Sequence, residues 1–347
     1  MKLTKKNIII GIAVVALVVV SYLGIMPEST PVLMVFNLAL MVSGFTLLIK
    51  GADIFVDGAS KIATKFNIPQ MVIGLTIVAF GTSLPEAAVS ISGALSDNAG
   101  ITVGNVLGSN IMNILVILGV SSCIAALPIK KNTLRIEIPF VIVITVLLLV
   151  LGMAGDELTR LDGIIFIALL AGFMVYLVYT AKHGEADDET TELTEKDTMP
   201  ILIGFVIIGA VCIVIGSDVT VDAASYIAAK CGMTPRLIGL TVVAFGTSLP
   251  ELVTSATAAK RGKVDIAIGN IVGSNIFNIL FVVGVSAVIT NIEFEVAFIK
   301  DAIVATAAAV LLFVAAVKNK KLSRPAGIIM LLCYAAYFAY ILAMNYA

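Results

Sequence analysis

The sequence predicts an all-α polytopic membrane protein: two inverted-topology five-helix repeats, together a ten-helix core, plus one extra N-terminal transmembrane helix. Three observations predict it. Of 347 residues, 60% are hydrophobic and only 13% charged, against roughly 45–50% and 25% in soluble domains. Apolar runs of about 20 residues recur, each long enough to cross a bilayer core as a helix. A block of polar residues also returns at an offset of 165. So little charge cannot cover a water-soluble fold, which excludes soluble enzymes, disordered proteins, nucleic-acid binders and secreted disulfide scaffolds. The four cysteines are scattered without CxxC spacing and read as small core residues. The single histidine, His183, falls in a hydrophilic loop, which argues against histidine metal sites and serine–histidine catalysis.

Eleven spans are expected, near 7–26, 32–56, 70–94, 103–126, 136–154, 161–180, 200–220, 236–259, 268–290, 298–317 and 325–344. Residues 1–30 form a signal-anchor helix after Lys2, Lys5 and Lys6, because no A-x-A-like cleavage site follows. Residues 31–181 make the first repeat, 182–199 an acidic cytoplasmic linker, and 200–347 the second repeat. With the N-terminus cytoplasmic, 18 of the 22 Lys and Arg fall in inner loops and only Arg160, Lys230, Arg236 and Lys300 outside. That asymmetry orients the chain, with the central loop cytoplasmic and the C-terminus external. The linker carries seven acids from Glu185 to Asp197 without an EF-hand pattern, and reads as a solvated connection.

The repeat is carried by two segments in each half. Gly74 to Glu86 returns as Gly239 to Glu251 with only Ile77/Val242 changed, and Gly104 to Asn113 returns as Gly269 to Asn278. The motifs occupy 74–119 and 239–284. The offset spans five crossings, an odd number, so the second copy enters the membrane from the opposite side. Inverted repeats of this kind place a substrate near the midplane of an alternating-access transporter.

Each Gly-Thr-Ser-Leu-Pro-Glu lies inside an apolar run. Pro85 cannot donate to the Gly81 carbonyl, nor Pro250 to that of Gly246, so each helix is expected to break and free carbonyls for a cation. Thr82, Ser83 and Glu86 share one helix face, as do Thr247, Ser248 and Glu251. A carboxylate in a span costs at least about 2.5–3.5 kcal/mol and is a functional candidate by default. Asn105, Ser109 and Asn113 form an i, i+4, i+8 stripe, matched by Asn270, Ser274 and Asn278. The pairs Gly104/Gly108 and Gly269/Gly273 permit close helix approach. Two carboxylates among hydroxyl, amide and carbonyl oxygens make a hard-cation site, suited to one Ca²⁺ with 6–8 oxygens or to several Na⁺. Asn110 and Asn275 read as helix-to-helix hydrogen bonders, Asp53 and Asp218 as span-end residues, and Ser90 and Ser255 as weaker ligand candidates.

These segments resemble the two α-repeats of the sodium/calcium exchanger family, within the calcium/cation antiporters, in its prokaryotic form. The resemblance implies electrogenic exchange of Na⁺ for Ca²⁺ across the plasma membrane, with these ions as substrates, no cofactor, and a monomer sufficing in the lipid bilayer. Carried over by position, the calcium ligands would be Glu86 and Glu251, helped by Thr82 and Thr247. The sodium sites would draw on the Ala79 carbonyl, Ser83 and Ser109, and on the Ala244 carbonyl, Ser248 and Ser274. Asn113 and Asn278 would line the centre. Several family members have Asp where this chain has Asn278, so a third central acid is lacking. The linker is too short for the regulatory calcium-binding domains of animal members. H⁺/Ca²⁺ or K⁺-dependent exchange, and a passive cation channel, remain the alternatives. A serine hydrolase lacks any intramembrane His or Lys base.

Overall fold

The structure, a computed structural model, describes residues 5–24, 30–96, 99–183, 191–233, 242 and 244–346. It is helical almost throughout. Eight long apolar helices and one bent pair have the length and composition to cross a bilayer. Two further expected spans coincide with α1 (Lys5–Tyr22) and with the segment ending in Leu249–Lys260. Part of that second segment, including Gly239 to Thr241 of the repeated motif, lies outside the described residues.

In the first half come α2 (Thr30–Phe66), the bent pair α3 (Gln70–Thr82) and α4 (Leu84–Leu95), α5 (Gly100–Ile124), α6 (Thr133–Gly155) and α7 (Arg160–His183). The second half has α8 (Met199–Lys230), the short α9 (Ala244–Thr247), α10 (Leu249–Lys260), α11 (Val264–Ile289), α12 (Val296–Val317) and α13 (Arg324–Tyr346). Helices α2 and α8 run well beyond the expected 32–56 and 200–220. Their extra turns carry polar residues that hydropathy places in loops. They touch backbone to backbone at equivalent glycines. A Cβ on Gly51 would lie 2.9 Å from the Gly209 carbonyl, and one on Gly216 would lie 2.7 Å from the Leu48 nitrogen.

Two small ladders fix the sidedness of the halves. Strand β1 (Leu127–Pro128) pairs with β4 (Lys321–Leu322), and β2 (Glu157–Leu158) pairs with β3 (Ile292–Glu293). Adding 165 to β1 gives β3. Yet β1 and β2 flank the 23-residue α6, which is about 35 Å long. Equivalent strands therefore sit on opposite faces, and the second repeat is inverted relative to the first.

Contacts gather the basic span ends on the β1–β4 face. Lys130 pairs with Asp265 at 2.8 Å, Arg261 with Asp53 at 2.7 Å, and Lys61 with both Asp57 and Asp197 at 3.1 Å. The last stretch of the linker is docked there rather than freely solvated. Ser60 Oγ lies 2.6 Å from Thr191 Oγ1, and Lys65 Nζ donates to the Asp197 carbonyl at 2.6 Å. The Thr194 amide and hydroxyl donate to Asp197, and with Lys61 they hold its carboxyl down to about 2 from 3.8. A depressed carboxyl stabilises the docked strap fully above its ordinary value and loses that contribution as pH falls toward 2. Limited proteolysis of residues 191–198 should therefore be unchanged from pH 5 to 8, whereas Asp197→Asn should make the strap cleavable throughout that range.

Candidate cation site at the crossing of the repeats

The helix break expected at each proline is present. Ser83 leaves helical geometry with φ −85° and ψ 7°, and α3 meets α4 at 51° with Pro85 in the first turn of α4. Ser248 does the same at φ −94° and ψ 5°, ahead of Pro250. Proline fits the first turn because its missing N–H has no partner to lose there. The carbonyl that Pro250 frees accepts from Ser217 Oγ at 2.8 Å, which takes one of its two lone pairs. The position equivalent to Ser217 in the first half is Ala52.

Glu86 and Glu251 begin the helices beyond the breaks and are both fully buried. Each carboxylate uses one oxygen for hydroxyls drawn from both repeats. Glu251 Oε1 accepts from Ser83 at 2.9 Å and Ser274 at 3.5 Å. Glu86 Oε1 accepts from Ser109 at 3.3 Å and Ser248 at 3.5 Å. Under the offset of 165 these two sets are the same set. The sequence placed these six residues on helix faces, and the fold brings them together.

The asparagines cross-link the two central helices. Asn113 Nδ2 donates to Asn275 Oδ1 at 3.0 Å, and Asn278 Nδ2 donates to Asn110 Oδ1 at 3.1 Å. Asn110 Nδ2 also donates to the Asn275 carbonyl at 3.2 Å, as expected for Asn110 and Asn275. Both Asn113 and Asn278 open a π-helical turn, Asn113–Leu118 and Asn278–Val283. Such turns lie often at functional sites, and hydrophobic periodicity gives no sign of them. The side chains of Asn105 and Asn270 support the broken helices instead of facing the centre. Asn105 donates to the Glu86 carbonyl and to Ser90, while Asn270 donates to Ser255 and accepts from Thr82 at 3.0 Å. Ser90 and Ser255 therefore hold asparagines. Thr247 lines a cavity beside the site, and Ala79 and Ala244 each open the last turn before a break.

Four buried oxygens at this crossing have no hydrogen-bond donor among the described residues: Glu86 Oε2, Glu251 Oε2, Asn113 Oδ1 and Asn278 Oδ1. A buried acceptor without a donor costs about 1–3 kcal/mol, more when charged. Four of them in one place, two on acidic side chains, form an all-oxygen set with the chemistry to hold a cation. The donor set is oxygen alone, and among the described residues no group of three or more His, Cys, Asp or Glu forms. This chemistry suits Na⁺ or Ca²⁺ and not a thiolate- or imidazole-bound metal.

The two sides of the site differ. On the β1–β4 side, α11 lies against α3: a Cβ on Gly273 would be 2.7 Å from Ala79 Cβ and 2.8 Å from Leu75 Cα. On the other side, a cavity of about 410 Å³ reaches in past Asp301 and Tyr337 to Ser109 and Thr247. Gly104 and Gly108 line it, and a Cβ on Gly108 would meet nothing within 4 Å among the described residues. The expected close approach is thus made by Gly269/Gly273 and not by Gly104/Gly108.

Hydropathy does not single out one further buried acid. The structure buries Glu137 to 2% exposure in a π-helical turn, Thr133–Glu137, with Tyr176 donating to it at 2.6 Å. Only the packing of α7 on α6 reveals that partner.

The family model described as sodium/calcium exchanger protein matches residues 36–179 and again 201–343. The chain is 38% identical over 303 residues to the protein named "Putative antiporter CaxA" of Alkalimonas amylolytica, covering 85% of this chain and 95% of that one. It is 28% identical over 347 residues to sodium/calcium exchanger MaX1 of Methanosarcina acetivorans, covering 87% and 97%. Solved structures of the sodium-calcium exchanger NCX_Mj superpose with a TM-score of 0.76 at 33% identity, over 88% of this chain and 99% of theirs. With its broken helices, buried carboxylates and two matched halves, this chain belongs to the sodium/calcium exchanger family, and is a multi-pass membrane cation transporter rather than an enzyme.

Proposed function

We propose that the chain exchanges Na⁺ for Ca²⁺ across the plasma membrane by alternating access. The basic β1–β4 face, with the N-terminus and central linker, is cytoplasmic. The single observation that carries the reading is the set of four buried acceptor oxygens without donors among the described residues, contributed equally by the two inverted repeats. Glu86 and Glu251 balance one Ca²⁺ between them. Thr82 and Thr247, and the carbonyls of Ala79 and Ala244, would add oxygens from the broken segments. Ser83, Ser109, Ser248 and Ser274, with Asn113 and Asn278, complete the oxygens that Na⁺ would share. Competition for shared ligands enforces exchange, because moving the unbalanced carboxylates through the bilayer alone is costly.

Alternating access draws support from the unequal sides. Helix α11 closes on α3, while its inverted equivalent α5 lines a cavity. Exchanging those two packings would open the opposite side. The deciding experiment is Ca²⁺ uptake into proteoliposomes loaded with Na⁺, K⁺ or choline, with a proton uncoupler present. Uptake driven by internal Na⁺ and lost with choline is expected. Uptake indifferent to internal Na⁺ would overturn sodium coupling, and conductance without any counter-gradient would establish a channel.

A further inference from the structure

Two carboxylate–tyrosine pairs stand outside the central site, one in each repeat. In the second repeat, Tyr337 of α13 donates to Asp301 Oδ1 of α12 at 2.8 Å. In the first, Tyr176 of α7 donates to Glu137 Oε1 of α6 at 2.6 Å. The offset of 165 carries α6 onto α12 and α7 onto α13. It carries Glu137 to Ala302, next to Asp301, and Tyr176 to Ile341, one helical turn from Tyr337. The π-helical turn at Thr133–Glu137 accounts for the single-residue slip, since it takes one residue more to close than an α turn. The same device is thus built twice. Because the repeats are inverted, one copy is at the β1–β4 face and the other at the opposite face.

Their surroundings differ as the two sides of the site differ. Asp301 is half-buried and borders the 410 Å³ cavity that leads inward to Ser109 and Thr247. Glu137 is on the closed side, almost wholly buried, and its Oε2 has no hydrogen-bond partner among the described residues. Most buried side-chain polar atoms have a partner, and one without calls for an explanation. An acceptor kept free beneath a closed side, where its counterpart borders an open passage, is poised for a cation.

We propose that Asp301 with Tyr337, and Glu137 with Tyr176, are matched mouth sites, one per membrane face, that take a hydrated cation before it reaches Glu86 and Glu251. The tyrosine orients one carboxylate oxygen and leaves the other for the cation. Each site becomes accessible when its own side opens. Lys300, exposed on the same cavity wall as Asp301, opposes recruitment and tunes it. The transport arm of this inference rests on the antiporter reading; its binding arm does not.

The binding arm is a Tb³⁺ titration of the detergent-solubilised protein, with luminescence excited through tyrosine. Tyr337 places a sensitiser beside Asp301. The signal should persist in the Glu86→Gln/Glu251→Gln double variant and fall in Asp301→Asn. A signal lost in the double variant and intact in Asp301→Asn would overturn the proposal, whether or not the protein exchanges ions.

The transport arm measures half-saturating Ca²⁺ from each face in vesicles of defined orientation. Asp301→Asn should raise the outer-face value about three- to tenfold and leave the inner-face value in place, the low end of what a focused charge does to local ion concentration. Glu137→Gln should do the reverse. Lys300→Gln, a surface change that does not threaten folding, should lower the outer-face value. Asp301→Glu should restore it. Equal shifts on both faces would make the pairs structural and overturn the proposal, while the antiporter reading would stand on the wild-type exchange.

Discussion

Replacing Glu86 or Glu251 by glutamine is expected to abolish Ca²⁺ exchange while stabilising the cation-free protein. Both carboxylates are fully buried, and each has one oxygen without a donor among the described residues. The amide removes half of the charge that balances Ca²⁺ and places an N–H where a ligand oxygen stood. Removing one partner of a buried charge pair costs about 2–5 kcal/mol, so transport efficiency should fall by at least about 30-fold. The apo protein gains for the same reason, since it no longer buries that uncompensated charge. Thermal melts should show a higher midpoint without cations and loss of the Ca²⁺-dependent upward shift in the wild type. A variant that transports normally would remove these residues from the site.

Adding one methyl group to either of two equivalent glycines should move the protein in opposite directions. Gly108 and Gly273 are equivalent under the repeat, yet a Cβ meets nothing within 4 Å among the described residues at Gly108 and lies 2.7 Å from Ala79 Cβ at Gly273. Overpacking of a tight contact costs about 1–3 kcal/mol. Gly273→Ala penalises the conformation described here, so a cysteine placed at Met112 in the cavity wall should react more slowly with an outside maleimide. Gly108→Ala penalises the alternative, in which α5 would pack as α11 does now, and should slow transport while keeping that cysteine reactive. Equal labelling in both variants would mean that these glycines do not alternate in packing.

Two ion pairs help explain why this side is the closed one. Arg261–Asp53 and Lys130–Asp265 join the repeats on the basic face. Their equivalents on the other face would be Ser96 with Asp218 and Glu295 with Gly100, neither of which can form an ion pair. Each exposed pair is worth only about 0.2–1 kcal/mol. That is small for stability, but enough to bias two nearly equivalent packings.

What the sequence determined by itself was everything that hydropathy and repetition encode. Span after span could be read from apolar runs, the common face of the basic ends from Lys and Arg counts, and inversion from an odd number of crossings. Glu86 and Glu251 stood out because a carboxylate in an apolar run is costly wherever it packs. The helix breaks were legible because a proline lacks an N–H in every context. Tertiary structure alone decided which oxygens remain free, since that depends on donors arriving from another helix. Ser217 donates to the Gly246 carbonyl, Asn110 and Asn275 tie the central helices together, and Tyr176 reaches Glu137 across an interface. It also decided which side is open. The repeated motifs are almost identical, so local chemistry favours neither side, and only contacts between the repeats break the tie.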